Sequence, residues 1–291
     1  MAKGRKLQIR FGSRLNRSIY GDIILFSFLA LLGSFSAWPM VFVVNNAFKP
    51  LNEILLFPPR LFVRNPTLNN FRDLVSLMSN SWVPLSRYVF NTLLITFLGT
   101  LGSVFISSLA AYPLAKFRFP GSRLMSRMIV YSLMFSTAVT GIPSYLIISR
   151  LGLLDSYGAI LFPTFGTTLG LYLMQNFMGQ VPNDLIESAT IDGAGDFRIY
   201  WSIMMPLARP AWLTLVILQF QGLWGATGGT YIYSEKLKPL SYALSQIVGG
   251  GVARTGVAAA VALFMLIVPL TVFVISQSNV IETMATSGIK E

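Results

Sequence analysis

Long apolar stretches recur along this chain with short polar segments between them. Six are about as long as a helix needs to cross a hydrocarbon core ~30 Å thick: residues 22–44, 88–115, 128–149, 157–178, 211–233 and 255–276. The runs are continuous and lack the apolar–polar alternation of membrane barrel strands, so the pattern predicts helices. Gly99, Gly102, Pro113, Gly166, Gly222 and Pro269 lie inside them and are compatible with closely packed membrane helices. The fold class expected is an all-α membrane protein with six transmembrane helices.

Composition agrees. Of 291 residues, 54% are hydrophobic and 11% charged, with a mean hydropathy of +0.63, whereas soluble domains carry roughly a quarter charged residues. Histidine and cysteine are both absent, which removes imidazole and thiolate chemistry, the usual zinc sites and any disulfide framework. An intramembrane enzyme would need a nucleophile and base, or paired carboxylates, facing each other in the membrane. The second to sixth runs contain no Asp, Glu, Lys or Arg, which argues equally against a proton-driven carrier.

The net charge of +11 acts as a topology signal and not as a nucleic-acid footprint, because the cations gather at the edges of apolar runs. Residues 1–21 form a basic segment with Lys3, Arg5, Lys6, Arg10, Arg14 and Arg17. The run that follows is too long for a signal peptide and has no small-x-small cleavage site after it, so it reads as a retained anchor. The segment and the acid-free group Lys116, Arg118, Arg123 and Arg127 belong on the cytoplasmic side, and two spans between them give the right parity. Both termini are then cytoplasmic, and residues 22–291 form one transmembrane domain. The other side receives Glu53, Asp73, Asp155 and Glu235 among sparser cations.

The loop at about 179–210 departs from this charge pattern. It is cytoplasmic by parity yet carries Asp184, Glu187, Asp192 and Asp196 against Arg198 and Arg209, which suits a protein partner better than a lipid headgroup surface. Asp184-x-x-Glu187 after Pro182 reads as a capping box, starting a helix with Leu185, Ile186 and Ala189 along one side. Gly193 permits a sharp exit or a close backbone approach. Asp192 suits a local Asx-type turn, and Pro206 and Pro210 end or kink a second short helix. An ordinary interfacial amphipathic helix is the plainer alternative.

At these residues the chain resembles the integral-membrane permease subunits of binding-protein-dependent ABC importers. Their EAA loop has the pattern E-A-A-x-x-D-G-A, an aromatic, then L-P and P. Here it reads Glu187-Ser188-Ala189, Asp192-Gly193-Ala194, Tyr200, Met205-Pro206 and Pro210, with Ser188 and Met205 as departures. Asn52-Glu53-Ile54 with Pro58-Pro59, the stretch from Asn65 to Phe71, Asn91-Thr92-Leu93, the stretch from Leu151 to Asp155, and the tail from Ser287 to Glu291 are similar to the carbohydrate-uptake, MalG-like branch.

The resemblance implies a MetI-like, type I importer permease of the bacterial cytoplasmic (inner) membrane. It implies as partners a second permease subunit, two ATPase subunits, an extracytoplasmic solute-binding protein and a sugar or oligosaccharide, neutral or acidic. Glu187, Ser188, Ala189, Asp192, Gly193, Ala194 and Pro206 are the ATPase-coupling residues implied. No lysine follows a glycine, so the phosphate-cradling G-x-x-x-x-G-K-[ST] loop is absent. The chain is expected to hold no cofactor, with ATP and Mg bound by the partner ATPases and no catalytic or metal site of its own.

A sugar route should offer amides, hydroxyls and aromatic faces. Gln219, Gln221, Trp224, Tyr231 and Asn176 are the candidates, with Gln221 and Trp224 sharing a helix face that Gly228 and Tyr231 continue. Polar residues that hold helices together are the competing explanation for each. The family's Trp-Asn pair is Trp224-Gly225 here. A permease for a non-sugar solute remains the alternative, because a docking loop does not read the cargo.

Overall fold

A computed structural model describes residues 19–79 and 82–287. Most of the basic N-terminal segment and the last four residues lie outside it.

Among the described residues every regular element is helical. The elements in chain order are α1 (Ile19–Phe48), α2 (Leu51–Ile54), α3 (Asn69–Ser79), α4 (Leu85–Lys116), α5 (Ser122–Ser132), α6 (Thr137–Arg150), α7 (Gly158–Phe165), α8 (Thr168–Gln180), α9 (Asn183–Ile191) and α10 (Asp196–Ile199). A π-helical turn (Tyr200–Met204) then leads into α11 (Met205–Leu207), α12 (Arg209–Trp224), α13 (Leu240–Val248) and α14 (Thr255–Ser287).

Three of the expected spans are single helices long and apolar enough to cross a membrane: Tyr20–Phe48, Leu85–Lys116 and Thr255–Ser276. The third run is divided into α5 and α6, where Ser136 caps a new helix by accepting from the Ala138 N–H at 3.2 Å. The fourth is divided at Gly166 and Thr167 into α7 and α8. The fifth helix ends at Trp224 and not at Tyr233, because Gly225 begins a glycine-rich stretch in which Gly228 and Gly229 take φ of +81° and +49°. Hydropathy alone does not register these breaks, since they contain no charge.

The central element is α4, packed against α7, α8 and α12. A Cβ on Gly102 would come within 2.6 Å of the Phe165 ring, and one on Gly170 within 2.8 Å of Leu215. Small residues at these crossings are what bring the helices together.

The two ends of α4 define the two ends of the molecule. At its start, buried Asn91 donates to the carbonyls of Lys236 and Lys238 at 2.9 and 2.8 Å and accepts from the Tyr157 hydroxyl at 2.7 Å. Beside it, Thr92 accepts from the Leu240 N–H and Tyr88 donates to Glu235. The buried Glu53 carboxylate accepts from the Arg64 and Asn65 N–H groups, while Asn70 donates to the Ala47 and Lys49 carbonyls. Glu53, Asn70, Asn91 and Thr92, from three of the short segments that resemble the sugar-uptake branch, are thus parts of polar clamps; the last four residues of the resembling tail lie outside the described residues. Arg118 in the loop after α4 and Arg123 at the start of α5, together with the residues from Val181 to Arg209, lie at the other end, as parity requires.

Candidate functional site

The loop after α8 is built around two backbone devices. The first ends α9. The Gly193 N–H donates to the Thr190 carbonyl at 3.0 Å and the Ala194 N–H to the Ala189 carbonyl at 2.9 Å, with Gly193 at φ +80°. This is a Schellman motif, in which the residue after the helix cap must be left-handed, a conformation glycine adopts without penalty. Ala189 and Ala194, the apolar pair that accompanies such a motif, both pack on the adjacent core.

The second device is the bend between the π-helical turn and α12. Pro206 cannot donate to the preceding turn, and Pro210 sits in the first turn of α12, where a missing N–H costs nothing. The chain turns by 74° between residues Asp196–Leu207 and Arg209–Trp224. The Trp212 indole N–H satisfies the Met205 carbonyl at the break, at 3.1 Å.

Side chains from α4 fasten this assembly to the bundle. Lys116, its last residue, donates through Nζ to the Val181 carbonyl and to Asn183 Oδ1, the latter at 3.1 Å. Just over two turns before it, Ser108 meets the Tyr200 hydroxyl at 2.7 Å. Tyr200 is only 2% exposed and packs against Tyr112, with ring centroids 5.8 Å apart. Met174, Met178, Ile199, Met204 and Ala211 complete the core beneath.

The other face of the loop is bare. Glu187, Ser188, Asp192 and Gly193 are exposed, and so are large apolar side chains that would normally be covered: Ile191 is 87% and Phe197 72% exposed. A Cβ on Gly193 would meet nothing within 4 Å. Its glycine requirement inside this chain is therefore conformational, and the space outside is open.

Some expectations need correcting. The capping box does not form: α9 begins at Asn183 with Pro182 at the N-cap, which puts Asp184 inside the first turn and not at the cap, and no side chain caps α9. Leu185 faces outward, while Ile186 and Ala189 pack inward. Asp192 caps α9 through its backbone N–H to the Ser188 carbonyl, so the main chain and Gly193 hold the turn and no Asx side-chain bond is needed.

The pathway candidates lie at different depths: Gln221 and Trp224 are three apart on α12 but differ in exposure, and Tyr231 and Asn176 lie on other segments. Gln219 donates to Thr167 Oγ1 at 3.1 Å, joining α12 to the break before α8. Gln221 is exposed, whereas Trp224 is 4% exposed, stacked on Phe220, with an indole N–H that has no partner among the described residues. Gly228 and Tyr231 do not continue their helix, which has already ended. Tyr231 belongs to the end of the molecule opposite the loop after α8, where its carbonyl accepts from the Asp155 N–H and its ring lies 6.3 Å from that of Tyr145. Asn176, exposed on α8, is bonded to the Tyr172 carbonyl of its own helix and lines a cavity of about 430 Å³ with Gln175.

Sequence reasoning missed three features. Lys116 was only a topology marker, since its partners lie 65 and 67 residues away. Ser108 had no signal of its own. The buried hydroxyls Thr96, Thr100, Ser103 and Ser107 did have one, the alternating four- and three-residue spacing that puts side chains on one face of α4.

At the end of the Asp155 turn, its carboxylate accepts from the Ser234 hydroxyl and from the Ser234 and Tyr233 N–H groups at 2.7 and 2.9 Å. The Ser234 hydroxyl bond is the largest of the influences that hold this carboxyl below its usual range, and Lys238 adds to them.

Residues 102–284 match the family described as the inner membrane component of binding-protein-dependent transport systems. Among similar proteins is the polygalacturonan/rhamnogalacturonan transport system permease YtcP of Bacillus subtilis, 30% identical over 78% of this chain and 78% of that one. The diacetylchitobiose uptake system permease NgcG of Streptomyces coelicolor is 30% identical over 64% and 60%. A chain from the crystal structure of a bacterial ABC transporter involved in the import of the acidic polysaccharide alginate superposes with a TM-score of 0.77, at 21% identity, over 91% of this chain and 99% of that one.

Proposed function

Because the chain belongs to the family of inner membrane components of binding-protein-dependent transport systems, a membrane transport component and not an enzyme, we propose that it forms half of the translocation pathway of an ATP-driven importer for a sugar or oligosaccharide. Uronate-containing oligosaccharides are the cargo favoured. The observation that carries the cargo class is the 30% identity with a polygalacturonan and rhamnogalacturonan permease across 78% of both chains.

In this reading the other half of the pathway is a second, homologous permease subunit, and an extracytoplasmic binding protein delivers the solute. Two ATPase subunits hold ATP and Mg, and this chain needs no cofactor. It sits in the bacterial inner membrane with both termini in the cytoplasm. The exposed face of α9 enters a cleft of one ATPase subunit, with Glu187, Ser188 and Asp192 making polar contacts and Ala189, Gly193 and Ala194 holding the shape. Pro206 sets the bend that passes the motion to α12. Support for this comes from the loop's two faces, one apolar and fastened to α4, the other bare and rich in acids.

Gln219, Gln221, Trp224, Tyr231 and Asn176 are proposed to contribute to the pathway at successive depths. The assembled importer in proteoliposomes, given its binding protein, should take up oligogalacturonate in strict dependence on ATP. Uptake without the ATPase subunits would reject the mechanism. Uptake of a non-sugar solute alone would reject the cargo and leave the mechanism standing.

A further inference from the structure

The strongest basic feature outside the coupling loop is a cavity of about 720 Å³ where α4 ends, lined by Lys116, Arg118, Arg123, Arg127, Ser126 and Asn183 among others. No carboxylate lines it. Arg118, Arg123 and Arg127 are exposed, and no ion pair to them occurs among the described residues.

The local structure explains why these charges converge. Arg123 and Arg127 are four apart on α5 and so share a face. The N-cap of α5 is Gly121, at φ +91°, and no side chain caps this end, leaving free N–H groups and the positive end of the helix dipole beside the cations. Ser126 is already drawn to Gln175, which donates to its hydroxyl at 2.8 Å, and this holds α5 against α8.

Beside this charged face, α5 exposes Leu124, Met125 and Met128, at 59%, 49% and 60%. Cations directed into a cavity at the end of a long apolar helix, with apolar side chains beside them, match the two-part chemistry of a phospholipid: an anionic headgroup over acyl chains. A free anion or an oligosaccharide carboxylate would have no use for the apolar part.

We infer that this cavity binds the phosphate of an anionic phospholipid headgroup, with its acyl chains lying along Leu124 and Met128. Lys116 serves both sites, because its ammonium lines the cavity while donating to Val181 and Asn183 at the start of α9. Lipid occupancy therefore adjoins the coupling helix. Only the assignment to the cytoplasmic leaflet rests on the function proposed above.

The test is lipid retention by the assembled importer in nanodiscs of phosphatidylglycerol and phosphatidylcholine, released and read by native mass spectrometry. The wild type should retain phosphatidylglycerol selectively. The double variant Arg123→Gln/Arg127→Gln should retain it roughly thirty-fold more weakly, two surface cations' worth, and Arg123→Lys/Arg127→Lys should keep most of it. Equal retention by the Gln variant and wild type overturns the inference. So does displacement of the lipid by inorganic phosphate or by oligogalacturonate at millimolar concentration, since either identifies a free anion as the ligand.

Discussion

Ser108 and Tyr200, 92 residues apart, share a buried 2.7 Å hydrogen bond between their hydroxyls, and that contact joins the central helix to the π-helical turn of the coupling loop. Ser108 Oγ also lies 2.9 Å from the Phe105 carbonyl, to which it donates, so Tyr200 is the donor between the hydroxyls. This ring and Lys116 are two points at which the loop is fastened to α4.

Replacing Tyr200 with Phe should remove about 1 kcal/mol, the net worth of one hydrogen bond, and preserve the packing. Tyr200→Ala should cost about 3–5 kcal/mol, as expected when a large buried aromatic is deleted. Thermal aggregation of the solubilised importer distinguishes the two. Equal melting of both variants would show that the ring is not a structural anchor.

Gly193 permits a clean separation of backbone from docking effects. Asparagine tolerates the left-handed region far better than alanine does, and the space beside Gly193 is open. Gly193→Asn should therefore insert and assemble normally, yet lose most transport under the proposed docking of an ATPase subunit on this surface. Gly193→Asp should abolish transport with insertion intact. Full uptake by both variants in reconstituted vesicles would remove this surface from the docking proposal.

Lys116→Met keeps the length and apolar stem but deletes the donor to Val181 and Asn183. The expected outcome is continued ATP hydrolysis with uptake reduced several-fold, measured as sugar imported per ATP consumed. An unchanged ratio would show that α9 does not need this tether.

The Asp155 clamp predicts a specific pH response. Its folded pKa is lowered, so its stabilising contribution is complete above the ordinary carboxylate value of about 3.9 and is lost as pH falls through the lower folded value. Hydrogen-exchange protection of the Tyr233 and Ser234 amides should hold at neutral pH and fall under strong acid. Asp155→Asn, which tolerates the positive φ of 57°, should start with weaker protection and lack that acid step. The same step in the variant would assign it to another group.

Asn91 and Gln221 separate structure from pathway. Asn91 is fully buried and satisfies two carbonyls and a hydroxyl, so Asn91→Ala should lower stability by several kcal/mol at about 1–3 per orphaned group. Gln221→Ala should leave the melting temperature unchanged and weaken uptake. Destabilisation by Gln221→Ala would place it among the helix-holding residues.

Much of this was legible in the chain itself. Apolar run length announces a membrane helix because lipid offers no partner for backbone groups, and cation placement announces which loops share a side. The motif from Glu187 to Pro210 was visible because a polar island between apolar runs requires a reason. Gly193 as a turn residue, and Pro206 and Pro210 as bend residues, follow from their own covalent structure.

What only the tertiary structure decided concerns partners distant in sequence. Lys116 meets Asn183 across 67 residues, and α9 starts one residue ahead of Asp184, so no capping box formed. Gln221 and Trp224, near neighbours on one helix, have opposite environments because Trp224 is covered by Phe220 and Phe264 while Gln221 is exposed. The uncharged breaks in the third and fourth runs escaped hydropathy for the same reason that Ser108 did. A local pattern records the solvent each segment prefers, whereas which hydroxyl, carbonyl or ring it meets depends on how separate helices are packed together.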